Sequence, residues 1–164
     1  MKTLYLIRHA KSSWKDPGLK DFVRPLNKRG KRDAPFMGEV LNDKKVYPDL
    51  IISSPAKRAK KTATEIASKI GFPLKKISFD DEIYEASITT LIDLLKKMND
   101  KYESVMIFGH NPGLTILNNH ISNHYIENIP TCGIVALKFN KKWSELDKNS
   151  CEHLFFEHPK MYLK

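Results

Sequence analysis

The chain has 164 residues, 41% of them hydrophobic and 29% charged, a balance that fits one globular domain over residues 1–164 and excludes a disordered or collagen-like polypeptide. Lysine and arginine total 28 against 19 aspartates and glutamates, a formal charge of +9, which speaks to partners and solubility rather than to fold and leaves anionic substrates, phosphoproteins and nucleic acid open. No apolar run approaches the roughly 20 residues of a membrane span, and "MKTLYLIRHAK" has neither the length of a signal h-region nor its cleavage site, so a soluble, cytoplasmic protein with no membrane partner is expected.

In chain order, Leu4 to Ile7 is a near-continuous apolar run, as are Leu50 to Ile52 and Val105 to Phe108. Runs of this kind read as strands buried on both faces, the habit of parallel sheets. After the first, "LNKRGKRDAPFMGEVLND" predicts a helix capped by Asn27 with Ala34, Met37 and Leu41 on one face, although Pro35 and Gly38 weaken its middle. After the second, "SPAKRAKKTATEIASKIG" predicts a helix with Ser54 as cap, Pro55 in the first position and Gly71 as its end. Ser87 caps a third helix, with Leu91, Leu94, Leu95 and Met98 on one side, and a fourth begins near Pro112. "GIVALKF" and "CEHLFFEH" read as late strands in an antiparallel hairpin at one edge. The expected architecture is a three-layer α/β/α sandwich with a mostly parallel central sheet and an antiparallel edge strand.

Each of the three buried strands ends in a short polar motif: Arg8-His9, then "SSPAKR", then "GHNPG". In an open parallel α/β sheet the loops at the carboxyl ends of the strands form the ligand crevice, so the three motifs converge. Arg58 falls in the first turn of its helix and can reach over a helix N-terminus, which favours anions. Two arginines, two histidines and up to two helix starts, with no carboxylate in these motifs, match a tetrahedral dianion such as phosphate.

A metal site is disfavoured because His9 and His110 lack Cys, Asp or Glu at ligand spacing and the arginines would repel a cation. Imidazole can instead accept a phosphoryl group and split transfer into two steps. A cysteine-based phosphatase needs an arginine six residues past its nucleophile, yet Lys138 follows Cys132 at that spacing and Glu157 follows Cys151. Both cysteines are expected to be reduced and structural. A nucleic-acid-binding module has only the net charge in its favour, without zinc, RNA or basic-helix signatures, and none is expected as a partner.

Four segments in this order, "LIRHAKSSW", "VRPLNKRG", "SSPAKRAKKTA" and "GHNPG", resemble the motifs of the histidine phosphatase superfamily, and within it the small SixA-type phosphohistidine phosphatases with their phosphoglycerate mutase-like fold. The likeness runs from Met1 to about Leu137. It implies that His9 is the nucleophile and that Arg8, Arg58 and His110 line the phosphate pocket, with Arg24 a further phosphate or substrate contact. Ala10 stands where the family often has glycine, and Lys15 where mutase-like relatives carry asparagine. Glu85, or else Glu82, stands where many relatives place a general acid, a role that a phosphatase specialised for phosphohistidine could do without. No metal or cofactor is implied.

The segments between motifs leave no room for the insertions that roof the pocket in larger relatives, and an open site suits a phosphate presented on another protein. Lys57, Lys60 and Lys61 near the mouth could steer an acidic partner or simply be a solvated face. The expected function is therefore hydrolysis of protein phosphohistidine through a covalent intermediate on His9. A small-molecule phosphomonoester phosphatase is the alternative, and a non-enzymatic phosphate- or nucleic-acid-binding domain a remoter one. A monomer or weak oligomer is expected. His120, His124, His153 and His158 match no motif and read as structural or surface residues, and Trp14 either shapes the pocket or packs under its loop.

Overall fold

The computed structural model describes residues 1–163. Its strands are β1 (Lys2–Arg8), β2 (Leu50–Ser53), β3 (Ser78–Phe79), β4 (Ser104–Gly109), β5 (Ile134–Phe139) and β6 (Glu152–Glu157). They form one sheet in the order β3-β2-β4-β1-β5-β6. The first four pair in parallel, as their apolar runs predict. β5 is antiparallel to both β1 and β6, so the late hairpin forms at one edge of the sheet. Only the two-residue β3 went unforeseen, because its residues are exposed and carry no apolar run.

Four helices, α1 (Lys28–Asp43), α2 (Lys57–Ile70), α3 (Ile88–Lys96) and α4 (Gly113–Ile121), cover the sheet. Side chains of a strand alternate between faces, and β1 shows the consequence. Tyr5 and Ile7 pack with Ala34 and Met37 of α1 and Ala63 and Ile66 of α2. Leu4 and Leu6 pack with Leu91 and Leu95 of α3 and Leu114 and Leu117 of α4. Each such fully buried leucine or isoleucine contributes about 1.5–3 kcal/mol relative to exposure, so the three expected layers are held by two apolar cores, one on each face.

Caps follow the sequence at three of the four helix ends where one was assigned. The Asn27 side chain accepts from Gly30 N at 2.8 Å, the Ser87 hydroxyl accepts from Thr90 N at 3.2 Å, and Gly71 ends α2 with φ 79°. α2, however, starts at Lys57 with Ala56 as its cap residue, later than the Ser54-Pro55 signal suggested. The hydroxyl of Ser54 is engaged elsewhere, as described below. α1 runs unbroken through Pro35 and Gly38. Gly38 is there for packing: a Cβ on it would lie 2.8 Å from Lys69 Cβ, so the glycine lets α1 and α2 approach closely.

From β1 the chain crosses to β2 on one side, and from the adjacent β4 it crosses to β5 on the other. α1 and α4, which begin those crossings, lie on opposite faces. Adjacent strands whose continuations diverge leave a crevice at their carboxyl ends. His9 and His110 follow directly on β1 and β4 and stand at that point.

Candidate active site

The backbone around the first motif is pinned on every side. Arg8 N donates to Gly133 O and His9 N to Gly109 O, both at 3.1 Å, and Cys132 N donates to the carbonyls of Arg8 and His9, both at 3.0 Å. Cys132 aims its N–H at both carbonyls from a left-handed backbone, φ 60°, a conformation that costs a non-glycine residue energy and persists only where its surroundings require it. Its thiol is buried and free, with burial pushing its pKa up, as burial pushes that of Cys151 to about 11. Ala10 N donates to Thr62 Oγ1 at 2.9 Å, and the same hydroxyl donates to Arg58 O at 2.7 Å, tying the end of β1 to the first turn of α2.

His9 is 7% exposed. Its Nδ1 lies 2.8 Å from the Ala10 carbonyl, which can only accept, so Nδ1 carries the proton and Nε2 holds a lone pair. Arg58 Nε donates toward that Nε2 at 3.3 Å. Burial holds the imidazole neutral, lowering its pKa to about 3, with His110, Arg58 and Arg8 adding to the effect against the opposing Ala10 hydrogen bond. The His110 ring stands 5.1 Å from that of His9, centroid to centroid. Its Nε2 lies 2.8 Å from Ser54 Oγ and its Nδ1 3.4 Å from Arg58 Nη2. Burial, then Arg58, brings its pKa to about 4. This is where the expected helix cap went: Ser54 Oγ meets His110 and Ala56 N instead of starting α2.

Arg8 donates Nη1 to Ile129 O at 2.9 Å, while its Nε is buried with no acceptor among the described residues. An unpaired buried donor beside two further cationic or polar groups suits an anion. Burial and the neighbouring Arg58 both lower the Arg8 pKa, a cost that an arriving negative charge would offset. α2 presents an N-terminus without a side-chain cap at the same place. Neutral imidazole, unprotonated Nε2 and two guanidiniums together can transfer a phosphoryl group to nitrogen and hold its oxygens. No group of three His, Cys, Asp or Glu side chains that could hold a metal occurs among the described residues.

The structure thus brings Arg8, His9, Arg58 and His110 together and departs from the sequence expectation around them. The motifs held no carboxylate, yet Asp21, from the loop before α1, reaches in. Its Oδ2 accepts from Arg58 Nη2 at 2.9 Å and from the Tyr84 hydroxyl at 2.7 Å, and its carbonyl accepts from Arg58 Nη1 at 2.7 Å. Tyr84 first, then Arg58, lowers the Asp21 pKa, while burial and the Asp21 carboxylate raise that of Tyr84 to about 12. The Tyr84 ring also packs edge-on against His110 and Phe22. Asp21 and Tyr84 lie outside every motif, and no local signal marks them.

Glu85 is exposed, with φ 54°, and makes no side-chain hydrogen bond among the described residues. Glu82 is exposed too. Arg24 is 3% exposed and donates Nη1 to the carbonyls of Ser13 at 3.0 Å and Asp16 at 3.3 Å and Nη2 to that of Leu19 at 2.9 Å, while its Nε has no acceptor among the described residues. Trp14 is largely exposed and lies over that guanidinium, 3.7 Å from ring centroid to Cζ, rather than under the loop.

A family model described as the histidine phosphatase superfamily (branch 1) matches residues 4–106. The chain belongs to that superfamily. Within it, a candidate phosphohistidine phosphatase SixA from Agrobacterium tumefaciens is 30% identical, with a TM-score of 0.80 over 96% of this chain and 98% of that one. The protein histidine phosphatase SixA complexed with tungstate has the same fold, at a TM-score of 0.83 and 19% identity over 97% of this chain and 98% of that one. An uncharacterized chloroplastic protein of Arabidopsis thaliana is 31% identical over 153 residues, 88% of this chain and 70% of its own length. The chain is therefore a SixA-type phosphatase of phosphoglycerate mutase-like fold. None of its described helices is long and apolar enough to cross a membrane.

Proposed function

We propose that the chain hydrolyses protein phosphohistidine, with His9 as nucleophile. His9 Nε2 attacks phosphorus, the P–N bond to the substrate imidazole breaks, and the phosphoryl group rests on His9. Water then attacks phosphorus, the P–Nε2 bond breaks, and inorganic phosphate leaves with His9 restored. Arg8 and Arg58 hold the equatorial oxygens, and His110 stands by as a further contact.

One observation carries the choice of substrate: the carboxylate that touches this site is held ionised. An alcohol leaving from a phosphate ester needs a proton in the transition state. Asp21, bonded by Tyr84 and Arg58, favours the form that has none to give, and Glu85 makes no hydrogen bond into the site. Phosphohistidine can take up that proton on its second ring nitrogen from solvent before reaction, and from that protonated form the imidazole leaves as a neutral base with no donor in the site.

The test is phosphate release from a phosphohistidine-bearing protein and from a panel of sugar and nucleotide phosphates, with intact protein and with His9→Ala. Release from phosphohistidine alone, abolished by the substitution, together with an acid-labile phosphoryl-enzyme, is the expected result. Faster release from esters would overturn the substrate assignment, and full activity of His9→Ala would overturn the nucleophile.

A further inference from the structure

A groove of about 690 Å³ begins at Arg8 and is walled by the first turns of α1, residues 128–131 and the C-terminal turn around Pro159. Among the described residues its charged walls are Arg8, Lys11, Arg29, Arg32 and Lys160 against one carboxylate, Asp33. That carboxylate is 1% exposed and is consumed by the arginines. Arg32 donates Nε and Nη2 to its Oδ1 at 3.0 and 2.9 Å, and Arg29 Nε lies 3.6 Å from its Oδ2. Arg29 is held a second time, donating Nη2 to Thr131 Oγ1 at 3.0 Å. Asp33 therefore fixes two guanidiniums on the groove wall and shows almost no negative charge to solvent.

Five cationic groups along one groove, two of them oriented, suit a ligand with several negative charges. The volume lies within the range of real ligand sites. Among the described residues no Phe, Tyr or Trp lines it, its one aromatic ring, His158, is packed on Phe156 at 5.1 Å between centroids, and Asp33 ties the guanidiniums of Arg29 and Arg32, which favours a carboxylate-bearing ligand over stacked nucleobases. Arg8 lines the groove and also neighbours His9 in the phosphate site, so the groove adjoins that site.

We propose that this groove binds an acidic segment of the same protein that carries the phosphohistidine, so that carboxylates flanking the modified histidine set which proteins are dephosphorylated. This rests on the phosphohistidine reading above and adds to it the chemistry of the flanking sequence.

Two labelled, unphosphorylated peptides of equal length, one with aspartate and glutamate around a central histidine and one with asparagine and glutamine, are titrated with the full chain by fluorescence anisotropy. The acidic peptide is expected to bind at least tenfold more tightly, weakening with salt, and its advantage is expected to fall below threefold in Arg29→Gln/Arg32→Gln. That pair leaves Asp33 buried without partners and could unfold the chain. Lys11→Gln/Lys160→Gln, whose ammonium groups make no ion pair among the described residues, must therefore also reduce the advantage at least threefold. Equal binding of the two peptides, an undiminished preference in the lysine variant, or tighter binding of a DNA oligonucleotide to the same groove overturns the proposal. Peptide binding needs no catalysis: failure to release phosphate from the phosphorylated form of a peptide that binds overturns the substrate reading alone.

Discussion

Arg58 points its Nε at Nε2 of His9 from 3.3 Å while the Ala10 carbonyl accepts a hydrogen bond from Nδ1–H. A single tautomer is thereby selected, with its lone pair on the nitrogen that faces the guanidinium. Burial is the larger opponent of protonation at His9, and the guanidinium beside the buried imidazole adds to it.

That opposition has a measurable consequence for stability. His9 in the folded chain has a pKa lowered to about 3 and His110 to about 4, against about 6.5 when unfolded. Between those values the unfolded chain binds protons that the folded chain does not. Stability is therefore unaffected by these groups above pH 6.5 and falls as pH drops from 6.5 toward 4. His9 alone accounts for about 2 kcal/mol at pH 5. Urea unfolding at pH 7 and pH 5 should show the loss, and His9→Asn should remove part of that slope. Sulfate, which offsets the positive charge, should protect more at pH 5 than at pH 7. A midpoint that does not move between the two pH values would remove the buried, neutral pair.

Asp21 competes with any anion for Arg58. Its carboxylate already occupies Arg58 Nη2, and it repels a dianion placed between the arginines. Asp21→Asn keeps an acceptor for Tyr84 and removes the charge. The inhibition constant of product phosphate should drop three- to tenfold, with kcat on phosphohistidine changing less than threefold. A rise in that constant would mean that orienting Arg58 matters more than the repulsion.

Glu85→Gln tests the leaving-group argument. The side chain is exposed and makes no hydrogen bond into the site, so hydrolysis of phosphohistidine should stay within threefold of the parent across pH 6 to 8. A hundredfold loss, in the range of general-acid catalysis, would make Glu85 the proton donor and weaken the case drawn from the ionised Asp21.

What could be read in the sequence was what strand period and helix caps encode locally. Leu4 to Ile7 announces a strand buried on both faces, and the strand delivers Arg8 and His9 to its carboxyl end. Lys57 to Ile70 announces a helix, and its first turn delivers Arg58. Asp21 and Tyr84 could not be found that way. Tyr84 meets Asp21 across 63 positions of sequence and Asp21 meets Arg58 across 37, through loops whose paths no periodicity describes. The start of α2 was misplaced for a related reason: Ser54 is a good cap by type, but its hydroxyl meets His110, which follows on β4. Tertiary partners outbid local ones where the site is assembled.

Arg24 shows the same competition. The sequence resemblance makes it a phosphate contact, yet its guanidinium donates to the carbonyls of Ser13, Asp16 and Leu19 and stacks on Trp14. The loop so anchored leads directly to Asp21. Arg24→Met preserves length and much of the apolar contact with Trp14 but leaves those carbonyls without their donors, at a cost of about 2–4 kcal/mol. Thermal unfolding should register that loss, and limited trypsin digestion should cut sooner at Lys15 and Lys20, in the released loop. A loop anchor predicts that the KM for a small phosphoramidate shifts less than threefold at a temperature where the variant is folded. A phosphate contact predicts the reverse, unchanged stability with a KM raised tenfold or more, and the two measurements on one variant separate the roles.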